Sequence, residues 1–292
     1  MLDPAQLAAL SAVHRRGAFD LAAAELNVTP SAISQRIKAL EEMTGTLLVR
    51  RGQPCQATET GLRLIRHHDE ITLLERTLIQ DLPKLDPGPA TLRIAVNADS
   101  LATWVIPALA ATSGFLFDLV IDDQDASQDW LRRGEVAAAI TSHAGPLQGC
   151  DTIQLGALRF RATASPSYVG HWFPDGITAP SLARAPTLTF SDKDKLQARW
   201  AAARGVARPV LPAHRIASSQ AFVDACLAGM AWGMNPDLLV APHLDRGTLV
   251  ELLPDTPLDI ALHWQYTRLA APALRPVTEA IRQAARTMLV QP

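Results

Sequence analysis

Cysteine is scarce in this chain. Cys55, Cys150 and Cys226 are the only three in 292 residues, widely separated and odd in number. No Cys-x-x-Cys pair occurs, which argues against a disulfide framework or a zinc site and leaves small buried hydrophobes or free thiols. Long apolar runs are also missing. No stretch is long enough to span a bilayer and no basic-then-apolar leader opens the chain, so the expectation is a soluble, cytoplasmic protein with no membrane partner. Net charge is only −2, which excludes a basic nucleic-acid coat protein. The common catalytic signatures are absent too: no Walker loop, no Gly-x-Ser-x-Gly elbow, no strand-borne GxGxxG and no HExxH. The eight histidines are scattered, with no visible nucleophile partner. A non-enzyme is expected, with no catalytic residues, metal or cofactor. What the chain does have is bulk: 48% hydrophobic residues suffice for a substantial core and more than one domain.

The densest information lies in Gly17 to Leu40, which reads as two short helices around a tight turn. Ala18, Leu21, Ala22 and Leu26 recur at helical spacing and predict a buried stripe on the first. Asn27 supplies turn chemistry, and Thr29 is placed to cap the second helix with Pro30 at its first position. Ala32, Ile33, Ile37 and Leu40 then face inward, which leaves Ser31, Ser34, Gln35, Arg36 and Lys38 on or near the surface. Small hydroxyls near a helix start suit phosphates, and Gln and Arg reach base edges in a major groove. An ordinary helical hairpin with a solvated polar face is the competing explanation.

The next residues favour DNA. Leu47, Leu48, Val49, Arg50 and Arg51 form a β-like run turned by Gly52-Gln53-Pro54, as in the wing of a winged helix-turn-helix. Residues 1–61 are formally neutral: Arg15, Arg16, Arg36, Lys38, Arg50 and Arg51 are matched by six acidic residues. The basic groups cluster on the second helix and the wing, and clustering matters more than the sum for phosphate contacts. Ala22 to Leu40, Gly45 to Arg50 and the Thr58-x-Thr60-Gly61 step resemble the N-terminal module of LysR-type transcriptional regulators, with Leu48 where that family more often has Phe. The resemblance implies a double-stranded DNA operator as partner, contacted by Thr29, Ser31, Ser34, Gln35, Arg36, Lys38, Arg50 and Arg51. It also implies RNA polymerase as a further partner.

A long helical pattern follows from Thr60 to Leu82, with Leu64, Ile71, Leu74 and Leu78 at near-heptad spacing. In LysR-like proteins this helix pairs antiparallel with its mate, so the resemblance implies a homodimer or homotetramer. His67-His68-Asp69-Glu70 tempts a metal reading, but only i, i+3 pairs share a face, and a solvated helix face is expected. Asp86-Pro87-Gly88-Pro89 ends the helix as a hinge.

Beyond the hinge, strand-like runs alternate with helical patterns, predicting α/β units on a mainly parallel sheet. Strands are expected at 91–96, 117–121, 136–140, 158–164, 187–190, 215–217 and 261–266. Helices are expected at 101–111, 129–133 and 195–204, after Ser218-Ser219, and at 272–289. Two lobes with crossover strands resemble periplasmic-binding-protein-like effector domains, in which ligands sit between lobes at strand C-termini. The expected fold is therefore α/β: a winged helix-turn-helix (1–59), a linker helix and hinge (60–87), lobe I (88–162), lobe II (163–264) and a return to lobe I (265–292).

Three features suggest chemistry in the cleft. Asn97-Ala98-Asp99-Ser100 joins a strand to a helix, so backbone N–H groups and Ser100 can hold a carboxylate. Ser218-Ser219 offers the same from lobe II, and Thr141-Ser142 ends another strand. Capping alone also explains these hydroxyls. The acidic Asp122-Asp123-Gln124-Asp125 follows the second strand and either answers a cationic ligand or forms a solvated loop. The strings from Val96 to Trp104, Asp122 to Asp125, Gln148 to Cys150 and Gly229 to Met234 resemble the lysine- and arginine-sensing branch of LysR-type regulators. Members of that branch activate genes for basic-amino-acid exporters. The resemblance implies lysine or arginine as small-molecule effector, with Asp99, Ser100, Asp123, Asp125, Thr141, Ser142, Ser218 and Ser219 as candidate contacts. Phe190-Ser191-Asp192-Lys193-Asp194 departs from the branch, which more often shows Asn-Arg ahead of Lys-Asp. A different small effector, or a replication or nucleoid factor without one, remains open.

Overall fold

A computed structural model describes residues 1–80, 88–122, 127–145, 147–207 and 211–291. Contacts divide the chain into two units, Met1–Ala90 with Arg133–Glu135 and Leu269–Ala273, and the remainder. The first unit opens with α1 (Pro4–Arg16), whose N-terminus is capped by the Asp3 carboxylate accepting the Ala5 N–H at 2.8 Å. Gly17 then takes the left-handed conformation and turns the chain into α2 (Phe19–Glu25). Asn27 supplies the second turn at φ 52°, and Thr29 Oγ1 accepts the Ala32 N–H to cap α3 (Pro30–Thr44). Leu7, Leu10, Val13, Ala22, Ile33, Ile37 and Leu40 interlock in the core. Ala22 of the expected stripe is fully buried, but Leu21, also expected inside, is 53% exposed, and Ala23 is buried beside Ala22 instead.

The wing is shorter than the sequence suggests: β1 (Val49–Arg50) pairs antiparallel with β2 (Gln56–Ala57), and Leu47 is exposed. It hangs on polar anchors. Glu41 of α3 accepts the Leu48 and Val49 N–H groups at 2.8 and 3.3 Å. The Cys55 N–H donates to Gly17 O at 2.7 Å, and the Ala57 N–H donates to His14 Nδ1 at 3.3 Å. Thr58 Oγ1 donates to Leu47 O at 2.8 Å and accepts the Gly61 N–H at 3.1 Å. A Cβ at Gly61 would lie 2.4 Å from Leu48 O. The Thr58-x-Thr60-Gly61 step is thus a hydroxyl clamp plus a backbone approach that admits only glycine. It launches α4 (Glu59–Gln80), in which Ile65 and Leu73 are buried while Leu74 and Leu78 are 41% and 63% exposed. Leu82, Asp86 and Pro87 lie outside the described residues.

In the second unit, β3 (Ala90–Asn97) leads into α5 (Ala98–Ser100), which continues through a π turn into α6 (Ile106–Ala110). Next come β4 (Phe115–Asp122), α7 (Ser127–Arg133), β5 (Ala138–Thr141) and the long β6 (Cys150–Ala164). Lobe II holds α8 (Pro166–Trp172), α9 (Ala179–Leu182), β7 (Thr187–Thr189), α10 (Leu196–Ala202), β8 (Ala213–Arg215) and α11 (Ser219–Leu227). It closes with β9 (Gly233–Pro236), α12 (Asp237–Asp245) and β10 (Val250–Glu251), before β11 (Leu258–Thr267) and α13 (Ala271–Met288). The main sheet runs β10-β6-β11-β5-β3-β4, with β9 also on β6. It is mixed rather than mainly parallel. β3 pairs parallel with β5, as a helix crossover requires, but β11 is antiparallel to both β5 and β6. The expected crossover strands are these two, and they pair with each other.

The β6–β11 ladder shifts register between Leu262 and His263, opposite Gly156. Gly156 sits at φ 121°, and a Cβ there would meet Val290 O at 2.7 Å. The C-terminal segment locks that point, since Ala157 and Val290 exchange N–H···O bonds of 2.8 and 3.0 Å. Gly156→Ala should therefore cost about 1–3 kcal/mol by forcing strain into the bulge. Urea unfolding of the purified protein measures this, and an unchanged midpoint would mean that the Val290 segment yields freely.

Candidate functional site

Two surfaces carry functional chemistry. On α3 the buried ridge of Ile33, Ile37 and Leu40 fixes the rotation of the helix, so the opposite side is polar. Ser31, Gln35 and Lys38 are exposed and Ser34 and Arg36 half-buried. Thr29 is occupied as the cap, and Lys38 lies 3.6 Å from Glu42 one turn on. On the wing Arg50 and Arg51 are exposed, and the Arg51 guanidinium stacks 5.3 Å from the Phe19 ring centroid. That stacking holds a cation beside the turn between α1 and α2. The arrangement offers hydroxyls, a carboxamide and cations on one helix with further cations on an adjacent ribbon.

The second surface is a cavity of about 410 Å³ in the second unit, within the range of small-molecule sites. Asn97, Ala98 and Asp99 enter it from the end of β3, and Ser142 follows β5. Phe190, Lys193, Asp194, Lys195, Leu196, Gln197 and Arg199 come from β7–α10, and Ser219 and Phe222 from α11. Met234, Asn235 and Pro236 of β9 and Asp259, Ile260 and Ala261 of β11 complete the wall. Phe222, Met234 and Ile260 are buried and form its apolar part.

The wall carboxylates differ in what occupies them. Asp194 accepts the Phe190 N–H through one oxygen and the Leu196 N–H through the other, at 2.9 and 3.0 Å, so it organises the loop into α10. Asp259 is held bidentately by Arg159 at 2.8 Å on each side, and that guanidinium keeps its carboxyl below the usual carboxylate range. Asp99 accepts from Ser219 Oγ at 2.6 Å, a bond from lobe I to lobe II. Lys195 and Arg199 are exposed and make no ion pair among the described residues.

Several buried polar atoms here have no hydrogen-bond partner among the described residues. Asn97, 3% exposed, leaves both its amide nitrogen and its oxygen unanswered, and Gln197, 4% exposed, leaves its nitrogen. Asn235 is fully buried with Oδ1 unanswered. Its Nδ2 donates to Thr163 Oγ1 at 2.9 Å, Cys226 Sγ at 3.4 Å and Gly233 O at 3.4 Å, which fixes the amide's orientation. Burial pushes the Cys226 thiol up to about 12, so it remains protonated.

Of the residues expected in the cleft, Asp99, Ser142 and Ser219 line the cavity together. Ser100 is fully buried with its hydroxyl unanswered, and Thr141 Oγ1 accepts the His143 N–H at 3.1 Å; neither is among the lining residues. Ser218 is exposed and caps α11 through the Ala221 N–H. Asp123 and Asp125 lie outside the described residues. Asn97, Gln197 and Asn235 were not singled out as contacts by sequence reasoning. The available signal was an amide within an apolar strand, as in Val96-Asn97 and Met234-Asn235.

With the geometry in place, comparison with known proteins is direct. Residues 4–62 match the bacterial regulatory helix-turn-helix protein, lysR family, and residues 86–286 match the LysR substrate binding domain. The HTH-type transcriptional regulator ArgP of Pseudomonas fluorescens is 41% identical over 295 residues, covering 99% of each chain. The crystal structure of ArgP from Mycobacterium tuberculosis superposes with TM-score 0.82 at 38% identity, covering 100% of both chains. Full-length LysG from Corynebacterium glutamicum with bound effector Arg gives 0.70 at 34% identity, covering 99% of this chain and 100% of that one. Relatives of this kind are named as transcriptional regulators rather than enzymes. A helix-turn-helix with an exposed polar second helix, a two-lobed α/β unit with a cavity in it, and full-length matches at this identity establish that the chain belongs to the LysR family of DNA-binding transcriptional regulators.

Proposed function

We propose that this LysR-type regulator senses a free basic amino acid, lysine or arginine, and controls a gene for its export. The observation that carries the reading is Asp99, a carboxylate on the cavity wall held by a hydroxyl from the opposite lobe. An ammonium or guanidinium makes a stronger, charge-assisted bond to a carboxylate than a hydroxyl donor does. Asp123 and Asp125 are proposed as further acidic contacts, with Ser100, Thr141, Ser142, Ser218 and Ser219 supporting the strand ends. Phe222 and Ile260 suit the methylene stem of a long cationic side chain. The arginine-bound LysG relative supports the same effector class.

The domain limits proposed are those read from the sequence, 1–59, 60–87, 88–162, 163–264 and 265–292. In the first of these, Ser34, Gln35 and Arg36 read base edges, while Thr29, Ser31, Lys38, Arg50 and Arg51 position the phosphates. A single module with no net charge binds a half-site weakly, so two are joined through α4 into a homodimer, and dimers into a tetramer on DNA. The exposed Leu74 and Leu78 supply the seam. Regulation through RNA polymerase and a cytoplasmic location complete the proposal.

Three outcomes are expected. In gel shifts, Gln35→Ala or Arg36→Ala costs about 1–3 kcal/mol on the operator and scarcely alters non-specific binding. Lys38→Ala or Arg51→Ala weakens all sequences and lowers the salt slope by roughly one unit each. Normal operator binding by both Gln35→Ala and Arg36→Ala would put the wrong helix in the groove. Replacing Leu74 and Leu78 with Asp buries charge in the seam and releases monomers in light scattering; a monomeric wild type at micromolar concentration removes the assembly. Calorimetry on the full chain should show Asp99→Asn weakening lysine and arginine by about tenfold or more. A wild type that binds neither amino acid would falsify the effector assignment.

A further inference from the structure

The unanswered amides form a set with a definite chemical complement. Asn97 offers a donor and an acceptor, Gln197 a donor and Asn235 an acceptor, all three at least nine-tenths buried and all on residues that line the same cavity. Buried polar groups are almost always hydrogen-bonded, because leaving one bare costs free energy, so several of them on residues that line one cavity point to a ligand position. The Asn97 result is independent of which way its amide is turned, since both ends lack partners. The Asn235 orientation is set by donation to the Gly233 carbonyl, which can only accept, so its oxygen is the end left bare.

From these atoms we infer that Asn97, Gln197 and Asn235 hold the α-ammonium and α-carboxylate of the effector, so that the protein reads a free α-amino acid headgroup separately from the side-chain cation. The inference rests on the effector reading above and adds a second recognition element to it. A carboxylate needs donors, which the Asn97 and Gln197 amide nitrogens supply, with Lys195 and Arg199 at the rim reinforcing the negative end. An ammonium needs acceptors, which the Asn97 and Asn235 oxygens supply. Neutral amides suit a site that must also stand empty. Buried formal charges would be far costlier to leave unpaired than carboxamides, whose bonds water can take over. A zwitterion brings no net charge, so dipoles suffice for it. The specificity that follows is for amino acids over the amines obtained by removing their carboxyl group.

Calorimetry on the full-length protein tests this with four probes: L-arginine, L-lysine, agmatine and cadaverine. The wild type is expected to bind agmatine and cadaverine at least tenfold more weakly than arginine and lysine. Asn97→Leu and Gln197→Leu should each weaken arginine by about tenfold while changing agmatine little, a difference that general damage to the fold would not produce. Equal wild-type affinity for arginine and agmatine overturns the headgroup assignment and leaves the effector reading standing. If the wild type binds neither arginine nor lysine, the effector reading fails and the headgroup assignment falls with it. Should the variants fail to fold, the comparison of arginine with agmatine on the wild type still decides.

Discussion

The antiparallel pairing of β6 with β11 is the constraint on which the second unit depends. Each strand is long enough to serve both lobes, from Cys150 opposite Thr267 at one end to Phe160 opposite Leu258 at the other. Lobe I attaches through β5 and lobe II through β9 and β10. The same strand pair brings Asp259, Ile260 and Ala261 of β11 to the cavity wall. The bulge at Gly156 interrupts the ladder midway and re-aims the strands, and Val290 holds it in place.

Stability and function separate cleanly around that ladder. Arg159 is satisfied by Asp259 across it, and Arg161 by Asp237 and Glu251 on its lobe II side. These charges are spent on structure, as is Asp194 at the start of α10. Among the residues that line the cavity, the amides of Asn97, Gln197 and Asn235 carry buried polar atoms without a hydrogen-bond partner among the described residues. A protein at its stability optimum would not retain bare buried amides together; their persistence is the mark of a site whose partner arrives from solution. Ligand binding then stabilises the folded state by mass action, which couples occupancy of the cleft to the unit around it.

How much of this was legible in the sequence depended on the range of the interactions. The helix-turn-helix was readable because its determinants are local: Asn27 in the left-handed turn, Thr29 capping, Pro30 starting α3 and Gly61 beneath Leu48. The phase of α2 was not: Ala22 is buried as expected, but Ala23 rather than Leu21 is buried beside it. β6 begins well before the expected Leu158 because Asp151, Thr152 and Gln154 are polar residues that only pairing with β11 makes a strand. β9 and α12 went unread because the apolar run around Met234 and Val240 carries no periodicity that separates strand from helix. The three amides were not legible as a set. Burial from distant segments, which a local pattern does not encode, is what turns Asn97, Gln197 and Asn235 into a site.

The central claim is that one cavity recognises both ends of a basic amino acid, its headgroup by carboxamides and its side-chain cation by acidic residues. The most direct measurement is a crystal structure of the full-length protein grown with L-arginine. The account predicts the α-carboxylate and α-ammonium within hydrogen-bond distance of Asn97, Gln197 and Asn235, and the guanidinium directed to Asp99 or the acidic residues beyond β4. A guanidinium lying against the three amides, or arginine bound outside this cavity, would contradict it.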